Sequence, residues 1–347
     1  PCEASELVHF RRRIGESGIE LILKESIRIN GNDSHDSTAS IDTTVQEKNI
    51  TFPTDSKLHR KIIDKCKKIA EKENLPVRQS YTRTLKKLSL DQCFRNHPRN
   101  KWKARKADRK EKTIAGRLVR ELERNLLPNS RYQSDIDLFK RILSQKKSDS
   151  HKVYSVHEPD VQCISKGKEH KKYEFGNKVS IIYTQTTGVI IGTMGFRNPY
   201  DGHTIEPALE QAERLLGKRT IKTLIGDRGY KGKRQINETT IEIPKPFSDR
   251  KQSQYQQKKL KKQFRRRAAI EPINGHLKTD HRLNRNFYKG ITGDNMNVML
   301  AAAAFNFKRM MNKWKSSFWL VFKIQIVDLI NSMFYQINNQ IILKWAF

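Results

Sequence analysis

The chain has 347 residues, with 69 Lys and Arg against 37 Asp and Glu, which gives a formal net charge of +32. A surplus of this size, spread along the whole chain, predicts a polyanionic partner, because neutralising phosphates releases counterions. The alternative is a basic protein without catalytic chemistry. The four cysteines form no C-x-x-C pair, which argues against a zinc site or a disulfide framework and fits a reducing cytosol: Cys2, Cys66, Cys93 and Cys163.

The first half of the chain shows mainly helical patterns. Residues 1–36 predict an N-terminal helical module, which we expect to be truncated because the chain begins at Pro1. ASIDTTVQ, residues 39–46, predicts a first strand from its β-branched residues. Residues 54–150 then carry long helical patterns that are dense in Lys and Arg, such as LHRKIIDKCKKIAEKEN. This segment predicts a large helical insertion after the first strand.

The second half of the chain mixes strands with helices. KYEFGNKVSIIYTQ and GVIIGTMGF predict two strands of a hairpin that are joined by a Thr-Gly turn. A helix over 206–218, a strand ending at Asp227 and a strand over 239–246 follow. The basic helix QQKKLKKQFRRRAAI then reaches Glu271, and MNVMLAAAAFNFKRMMNKW predicts an apolar core helix. The order predicts a mixed α/β protein, and no glycine-rich nucleotide-binding loop is present.

The C-terminal segment, residues 313–347, is an apolar tail of unknown role. Lys323 and Asp328 interrupt its apolar run, whereas a membrane span needs about 20 nearly uninterrupted apolar residues. We therefore expect an amphipathic helix that packs on another surface, and no membrane partner. No apolar signal stretch follows Pro1, so the sequence predicts a cytoplasmic location.

Three acidic residues stand out because their neighbours are basic or apolar. Asp42 lies in the first strand, Asp227 ends a later strand in LIGDRGYKG, and Glu271 follows the basic helix. Two-metal phosphoryl chemistry uses carboxylates that converge from separate elements, since each Mg²⁺ takes only one or two of them. Asp227 is well placed for this role, because sites on α/β sheets gather at the carboxyl ends of strands.

Each of these residues also has an ordinary structural explanation. An Asp after a strand commonly forms a turn, and Gly229 supports that interpretation of Asp227. Asp42 is compatible with a solvated strand position. Glu271 is compatible with an i,i+4 ion pair to Arg267.

Pro272 leaves the geometry around Glu271 open, because proline cannot donate to residue 268. A helix that continues through it places Arg267, Glu271, Asn274 and Lys278 on one face. A new helix that starts at Pro272 instead places Glu271 at its N-cap, and only Lys278 keeps its place.

At this point the chain resembles a known family. DRGYKG at 227–232 with FRRRAAIEPINGHLK at 264–278 resembles the signature of bacterial insertion-sequence transposases of the DDE class, in the group usually numbered five. Those enzymes carry a Tyr-x2-Arg-x3-Glu-x6-Lys pattern. The matching residues, with Phe in place of Tyr, are Phe264, Arg267, Glu271 and Lys278. DTTVQEKNITFPTDSKL, YSVHEPDVQCISKGKEHKKYEFGNKVS and NPYDGHTIEPALEQ are also similar to stretches of that group, so the likeness runs from about residue 1 to about residue 312.

The resemblance implies an RNase H-like fold, in which helices flank a mixed sheet. This catalytic domain would cover residues 37–312, with the helical insertion at about 54–150. Residues 1–36 would be a DNA-binding module.

The resemblance also implies a metal-bound Asp–Asp–Glu triad, which maps onto Asp42, Asp227 and Glu271. Asp160, in HEPDVQCI, competes with Asp42 for the first position. Asp201 and His203 are expected either to cap the helix that follows them or to line the cleft.

As to function, the resemblance implies a DNA transposase that cuts at insertion-sequence ends and joins them to target DNA with two Mg²⁺ or Mn²⁺ ions. Its partner would be double-stranded DNA, as terminal inverted repeats and as target, bound by a homo-oligomer in the cytoplasm at the nucleoid. The residues expected to contact DNA are Tyr230, Lys231, Lys233, Arg265, Arg266, Arg267 and Lys278. Tyr230 is an aromatic contact or a core residue, and no covalent intermediate requires it as a nucleophile.

Two other functions remain open from the sequence. One is a non-catalytic basic DNA-binding protein, and the other is a structure-selective nuclease on the same fold. Trp102, in NKWKARK, is open in a similar way. A core anchor of the helical insertion is its commoner role, and stacking on an extruded base is the alternative.

Overall fold

The structure is a computed structural model that describes residues 3–127, 130–165, 172–244 and 253–345. The helices of the described chain are α1 (Ala4–Arg28), α2 (Asp55–Lys72), α3 (Thr82–Gln92), α4 (Lys101–Asn125), α5 (Gln133–Ser144), α6 (Ile205–Leu216), α7 (Gln254–Arg267), α8 (Ile270–Thr279) and α9 (Gly290–Trp345). Its strands are β1 (Thr38–Lys48), β2 (Gln162–Ile164), β3 (Glu174–Thr184), β4 (Ile190–Phe196), β5 (Thr223–Ile225), β6 (Gln235–Ile236), β7 (Thr239–Glu242) and β8 (Arg285–Asn286). Cys2 and the last two residues of the strand predicted over 239–246 lie outside the described residues.

The chain divides into two units, and strands β1 and β3 continue from one into the other. The first, which we call the sheet unit, consists of Pro1–Thr44, Val179–Asn284 and Thr292–Phe347. The second, which we call the helical unit, consists of Val45–Lys178 and Arg285–Ile291.

The sheet unit contains a mixed sheet with the strand order β4-β3-β1-β5-β7-β6. Strand β5 runs parallel to β1 on one side and to β7 on the other, whereas β6 is antiparallel to β7. Helices α1, α6, α8 and α9 supply buried side chains to the same core as these strands. The predicted mixed α/β sheet flanked by helices is therefore confirmed, and its strand order is compatible with an RNase H-like fold.

Helix α6 packs closely on strand β4. A Cβ atom at Gly192 of β4 would lie 2.9 Å from the Cβ atom of Ala212 of α6, so only glycine permits this approach. The helix closes at Gly217, whose φ of 72° is in the left-handed region that favours glycine. The helix predicted over 206–218 is thus confirmed.

Helix α9 is tied to the rest of the sheet unit by Asn306, which is fully buried. Its Oδ1 accepts a hydrogen bond from the Ile190 N–H at 3.0 Å, and its Nδ2 donates to the Ile190 carbonyl at 2.8 Å. The predicted apolar core helix is confirmed by this packing, and α9 runs past residue 312 without a break. Within the parts of the chain that the structure describes, none of the helices carries an apolar stretch sufficient to span a bilayer.

In the helical unit, α2, α3, α4 and α5 follow β1 and bury a core of their own. This core includes one carboxylate, Glu111 of α4, which is fully buried. It accepts hydrogen bonds from Arg60 Nε at 2.6 Å, Ser56 Oγ at 2.8 Å and Gln92 Nε2 at 2.8 Å. Because a buried charge is costly unless it is paired and hydrogen-bonded, these donors make its burial tolerable.

The expectation that Trp102 anchors this core is wrong, because its side chain is 69% exposed. Helix α4 buries Ala104, Ala107, Ile114 and Leu118. At 100° per residue these positions lie on the face opposite Trp102, so the helix carries the ring outward.

Candidate active site

Two of the predicted carboxylates meet through the register of parallel strands. The last paired residues of β1 and β5 are Ser40 and Ile225. Asp42 follows two residues later within β1. Asp227 follows two residues after β5, which ends at Ile225 and not at Asp227 as predicted. Because the strands are parallel, equal steps from a paired position bring both side chains to the same edge of the sheet.

Asp227 also forms the turn that leaves β5, as its alternative interpretation predicted. Its Oδ1 accepts a hydrogen bond from the Gly229 N–H at 2.7 Å, and its carbonyl accepts one from the Tyr230 N–H at 3.2 Å. A Cβ atom at Gly229 would lie 2.9 Å from Asp227 Oδ1 and 3.2 Å from Asp201 Oδ2. Glycine at 229 therefore leaves room for two carboxylates to approach the same point.

Asp201 is the residue that the structure adds to this edge. It begins the short 3-10 turn Asp201–Thr204 that follows β4 and leads into α6. Its Oδ1 accepts a hydrogen bond at 3.2 Å from Oγ1 of Thr43, the neighbour of Asp42 on β1. This contact supports the expectation that Asp201 lines the cleft. His203 is exposed and stacks edge-on against Tyr200 at 5.7 Å.

Tyr230 is the buried centre of this arrangement. Its side chain is fully buried, and its pKa is raised well above the ordinary value, first by burial and then by the charges of Asp42, Asp201 and Asp227. The Thr43 hydroxyl lies close and moderates that rise, but the Tyr230 hydroxyl completes no well-formed hydrogen bond with a described residue. Of its two predicted roles, Tyr230 has that of a core residue, because burial removes the ring from any surface that DNA could contact.

Arg267 faces Asp42 across the same edge. Its Nη1 lies 3.7 Å from Asp42 Oδ1, and both side chains are half-buried. The backbone of Arg267 is held by Tyr183 of β3, whose hydroxyl donates to the Arg267 carbonyl at 2.8 Å. Burial raises the pKa of Tyr183 to about 12, so this phenol stays a donor at neutral pH. Tyr183 thereby fixes the end of α7 beside Asp42.

Glu271 takes a place that neither alternative described fully. The basic helix α7 ends at Arg267, and α8 begins at Ile270 with Ala269 as its N-cap. Glu271 is therefore an exposed residue of the first turn of α8, and its N–H donates to the Ala268 carbonyl at 3.1 Å. The break precedes Pro272, which has no N–H and would clash with the carbonyl of residue 268 in one continuous helix.

The structure does not gather a complete ligand set. Across residues 3–127, 130–165, 172–244 and 253–345, no three His, Cys, Asp or Glu side chains are grouped closely enough to hold a metal ion as they stand. The edge brings Asp42, Asp201 and Asp227 near one hydroxyl, and Glu271 is not among the charges that act on it. Asp160, the competitor of Asp42, is an exposed residue of the helical unit.

The basic residues expected to contact DNA differ in exposure. Lys231, Lys233, Arg265 and Arg266 are exposed, whereas Arg267 and Lys278 are half-buried. Lys233 pairs with Glu206 at 2.7 Å, and an exposed pair of this kind contributes about 0–1 kcal/mol. The exposed cations are therefore available to a phosphate at little cost.

The donor set at this edge fits a divalent cation in its chemistry. Carboxylate oxygens are the ligands that Mg²⁺ and Mn²⁺ prefer, and Asp42, Asp201 and Asp227 supply them from three separate elements. The buried Tyr230 hydroxyl without a well-formed partner marks a polar space beside them. Such an orphaned buried group has a desolvation cost, which is characteristic of a functional position.

Comparison with known proteins gives two matches. Residues 148–307 match the family described as Transposase DDE domain, a range that contains Asp201, Asp227 and Glu271 and lacks Asp42. A Rhizobium meliloti protein described as "Uncharacterized protein ORF8 in nfe locus" is 38% identical over 95 residues, 26% of this chain. The chain thus spans about half, 46%, of the length of the curated relative that it matches. No solved structure matches the chain significantly.

The family match and the geometry point in the same direction. The matched range supplies two of the three aspartates at the edge, and β1 supplies the third. Residues 148–307 are thus similar to the Transposase DDE domain, on a mixed α/β fold that carries these carboxylates at the ends of parallel strands.

Proposed function

We propose that this chain is a transposase that cuts DNA at the ends of its own insertion sequence and joins those ends to target DNA. The observation that carries the proposal is the convergence of Asp42, Asp201 and Asp227 around the buried hydroxyl of Tyr230. Like charges repel, so a fold that places three carboxylates at one edge of a sheet bears a cost that a bound cation would offset.

In this proposal the aspartates would hold the divalent cations, and Glu271 of α8 is the proposed remaining ligand. Divalent cations held by these residues would supply polarisation of phosphate oxygens and activation of the attacking water or hydroxyl. The side chains of the protein do the positioning. Arg267 faces Asp42 at 3.7 Å and is placed to contact a phosphate, and Tyr183 keeps it there through the 2.8 Å hydrogen bond to its carbonyl.

The exposed cations extend the phosphate contact away from the reacting centre. Lys231 follows the Asp227 turn directly, and Arg265 and Arg266 lie in the last turn of α7 before Arg267. Such contacts fix the register of the duplex and carry little sequence information. Terminal inverted repeats and target DNA are the proposed substrates, bound by a homo-oligomer at the nucleoid, and the insertion-sequence group numbered five is the proposed relation.

The test is a cleavage assay on DNA that carries the reading frame with its natural flanks. With Mg²⁺ or Mn²⁺, the wild-type protein should nick both ends and leave 3′-hydroxyls. Asp227→Asn should lower nicking by about 10²–10³-fold, since loss of several kcal/mol of transition-state stabilisation corresponds to that factor. DNA binding by the variant, measured by gel shift, should stay close to wild type.

Two matched variants test whether Asp42 or Asp160 is the first carboxylate of the triad. Asp42→Asn should lose nicking to the same extent as Asp227→Asn, and Asp160→Asn should retain it. A wild-type protein that binds these ends and never nicks them would identify a non-catalytic DNA-binding protein. Nicking without any joined product would identify a nuclease on the same fold.

A further inference from the structure

Helix α4 has one face that the core of the helical unit does not use. The side chains that the core buries lie on one side of the helix: Ala104, Ala107, Glu111, Ile114, Ala115, Leu118, Val119 and Leu122. The exposed side chains of the opposite face, which we call the α4 stripe, are Trp102, Lys106, Arg109, Arg117 and Arg120. One face of α4 thus stabilises the unit, and the other presents four cations and an indole to solvent.

The positive charge of the α4 stripe is not offset by neighbouring acids. The four acids of the same helix have partners outside the stripe. Glu111 is buried against Arg60, and Asp108 accepts from Arg95 at 2.9 Å. Glu121 accepts from the Arg78 N–H at 2.8 Å, and Glu123 pairs with Lys140. Among the described residues, no carboxylate lies within ion-pair distance of a cation of the α4 stripe. The cations form two close pairs, Lys106 with Arg109 and Arg117 with Arg120, whose like charges repel, so the α4 stripe gains most from a polyanion.

Trp102 adds an exposed aromatic ring to the α4 stripe, and binding of phosphates by charge does not require such a ring. Its ring is 69% exposed, and the Nζ of Lys106 lies 5.2 Å from the ring centroid. An exposed indole lacks the favourable free energy that burial of its apolar surface would provide. An exposed aromatic ring among basic side chains is the combination that stacks on unpaired bases while its neighbours bind phosphates.

A membrane surface and DNA differ in what they need from such a helix. A helix that lies on a bilayer inserts an apolar face, and the apolar face of α4 is buried in the helical unit. DNA needs only spaced cations. From Trp102 to Arg120 the α4 stripe spans 18 residues, or about 27 Å at 1.5 Å per residue, which matches about eight base pairs at 3.4 Å.

We propose that the α4 stripe is a DNA-binding surface on which Lys106, Arg109, Arg117 and Arg120 contact phosphates and Trp102 stacks on an unpaired base. This inference rests on the proposed function only in that DNA is the ligand. It needs neither the carboxylates of the sheet unit nor any cleavage.

The experiment measures binding of the full chain carrying Asp227→Asn, so that cleavage does not interfere. Fluorescence anisotropy is recorded with a fully paired duplex and with the same duplex containing one unpaired base, over a series of salt concentrations. Arg109→Ala with Arg120→Ala should weaken binding to both DNAs and lower the salt slope by about 2, since each phosphate contact contributes about 0.9. Trp102→Ala should weaken binding about 5- to 100-fold on the duplex with the unpaired base alone, and Trp102→Phe should retain most of the affinity.

The controls match each change in kind. Lys68→Ala with Lys72→Ala removes two exposed cations from α2, and Trp314→Ala removes another exposed indole, 63% exposed on α9. Both should have smaller effects on DNA affinity than the α4 variants.

An equal loss of affinity in the α2 variant, or no loss in the Arg109 and Arg120 variant, would overturn the phosphate contacts. A Trp102→Ala effect that is the same on both DNAs, or absent, would overturn the stacking, and absence of binding by every protein would instead reject DNA as the partner.

Discussion

The two units of the molecule differ in how they treat carboxylates removed from solvent: Glu111 is fully buried, and Asp42, Asp201 and Asp227 are half-buried. In the helical unit, Glu111 is surrounded by an arginine, a serine hydroxyl and a glutamine amide, so its charge is compensated where it lies. In the sheet unit, Asp42, Asp201 and Asp227 lie near the buried phenol of Tyr230, whose pKa is raised first by burial and then by their negative charges. A compensated carboxylate supports the fold, whereas like charges that are brought together oppose it. The difference separates a carboxylate used for stability from carboxylates placed for chemistry.

The strongest test of this difference between the units is to remove the charge of Asp201. Asp201→Asn should lower Mg²⁺-dependent nicking by about 10²-fold, because it removes one carboxylate from the edge. Thermal stability should be unchanged or raised, since the amide Oδ1 still accepts from Thr43 and one like charge is gone. Nicking assays and differential scanning fluorimetry measure the two effects.

A direct measurement of Mn²⁺ binding tests whether Asp201 is a metal ligand or only a structural residue of its loop. If Asp201 helps to hold the cation, Asp201→Asn should weaken Mn²⁺ binding observed by electron paramagnetic resonance. Asp64→Asn changes the same charge at an exposed position of α2 and should alter neither measurement. Unchanged Mn²⁺ affinity in Asp201→Asn would leave Asp201 with a structural role alone.

Removal of the buried carboxylate of the helical unit should change stability in the opposite direction. Glu111→Ala leaves Arg60 and Gln92 without their buried acceptor, and we expect a loss of about 3 kcal/mol in the free energy of unfolding. Glu123→Ala removes another paired carboxylate from α4, but that side chain is 41% exposed, and we expect a change within about 0.5 kcal/mol. Urea denaturation of both variants tests the contrast, which fails if the two losses are equal.

The smallest expected effect at neutral pH concerns Tyr183, whose pKa is raised to about 12 by burial. A raised pKa means that the folded state keeps its proton longer than the unfolded chain. Its contribution is therefore complete below pH 10 and is lost as the pH rises from 10 to 12, by about 3 kcal/mol.

Tyr183→Phe should cost about 1 kcal/mol at neutral pH, for the lost hydrogen bond to Arg267, and should flatten the alkaline decline in stability. Unfolding curves at a series of pH values measure both effects. Tyr255→Phe, at a phenol that is 77% exposed, is the matched control and should follow the wild-type curve. A decline of unchanged steepness in Tyr183→Phe would assign the alkaline loss to other groups.

Local patterns predicted much of the fold. β-branched runs located β1 and the β3–β4 pair, and the apolar spacing of 206–218 located α6. The position of Trp102 was also available from sequence, because the apolar spacing of α4 places it opposite the buried face. The prediction that Trp102 is a core anchor was wrong because it relied on the usual burial of tryptophan and not on the position of Trp102 on the helix.

The sequence by itself determined that Asp42 belongs to a strand, that Asp227 lies where a strand gives way to a turn, and that basic charge dominates the chain, because these depend on neighbouring residues. Only the tertiary structure decided that Asp201 approaches Thr43, that Tyr230 is buried among three carboxylates, and that Arg267 faces Asp42. Thr43 and Asp201 are 158 positions apart, and Asp42 and Arg267 are more than 200 positions apart, so no local periodicity encodes these contacts. Strand register and the packing of the loops on the sheet bring these side chains together, because both are properties of the folded chain as a whole.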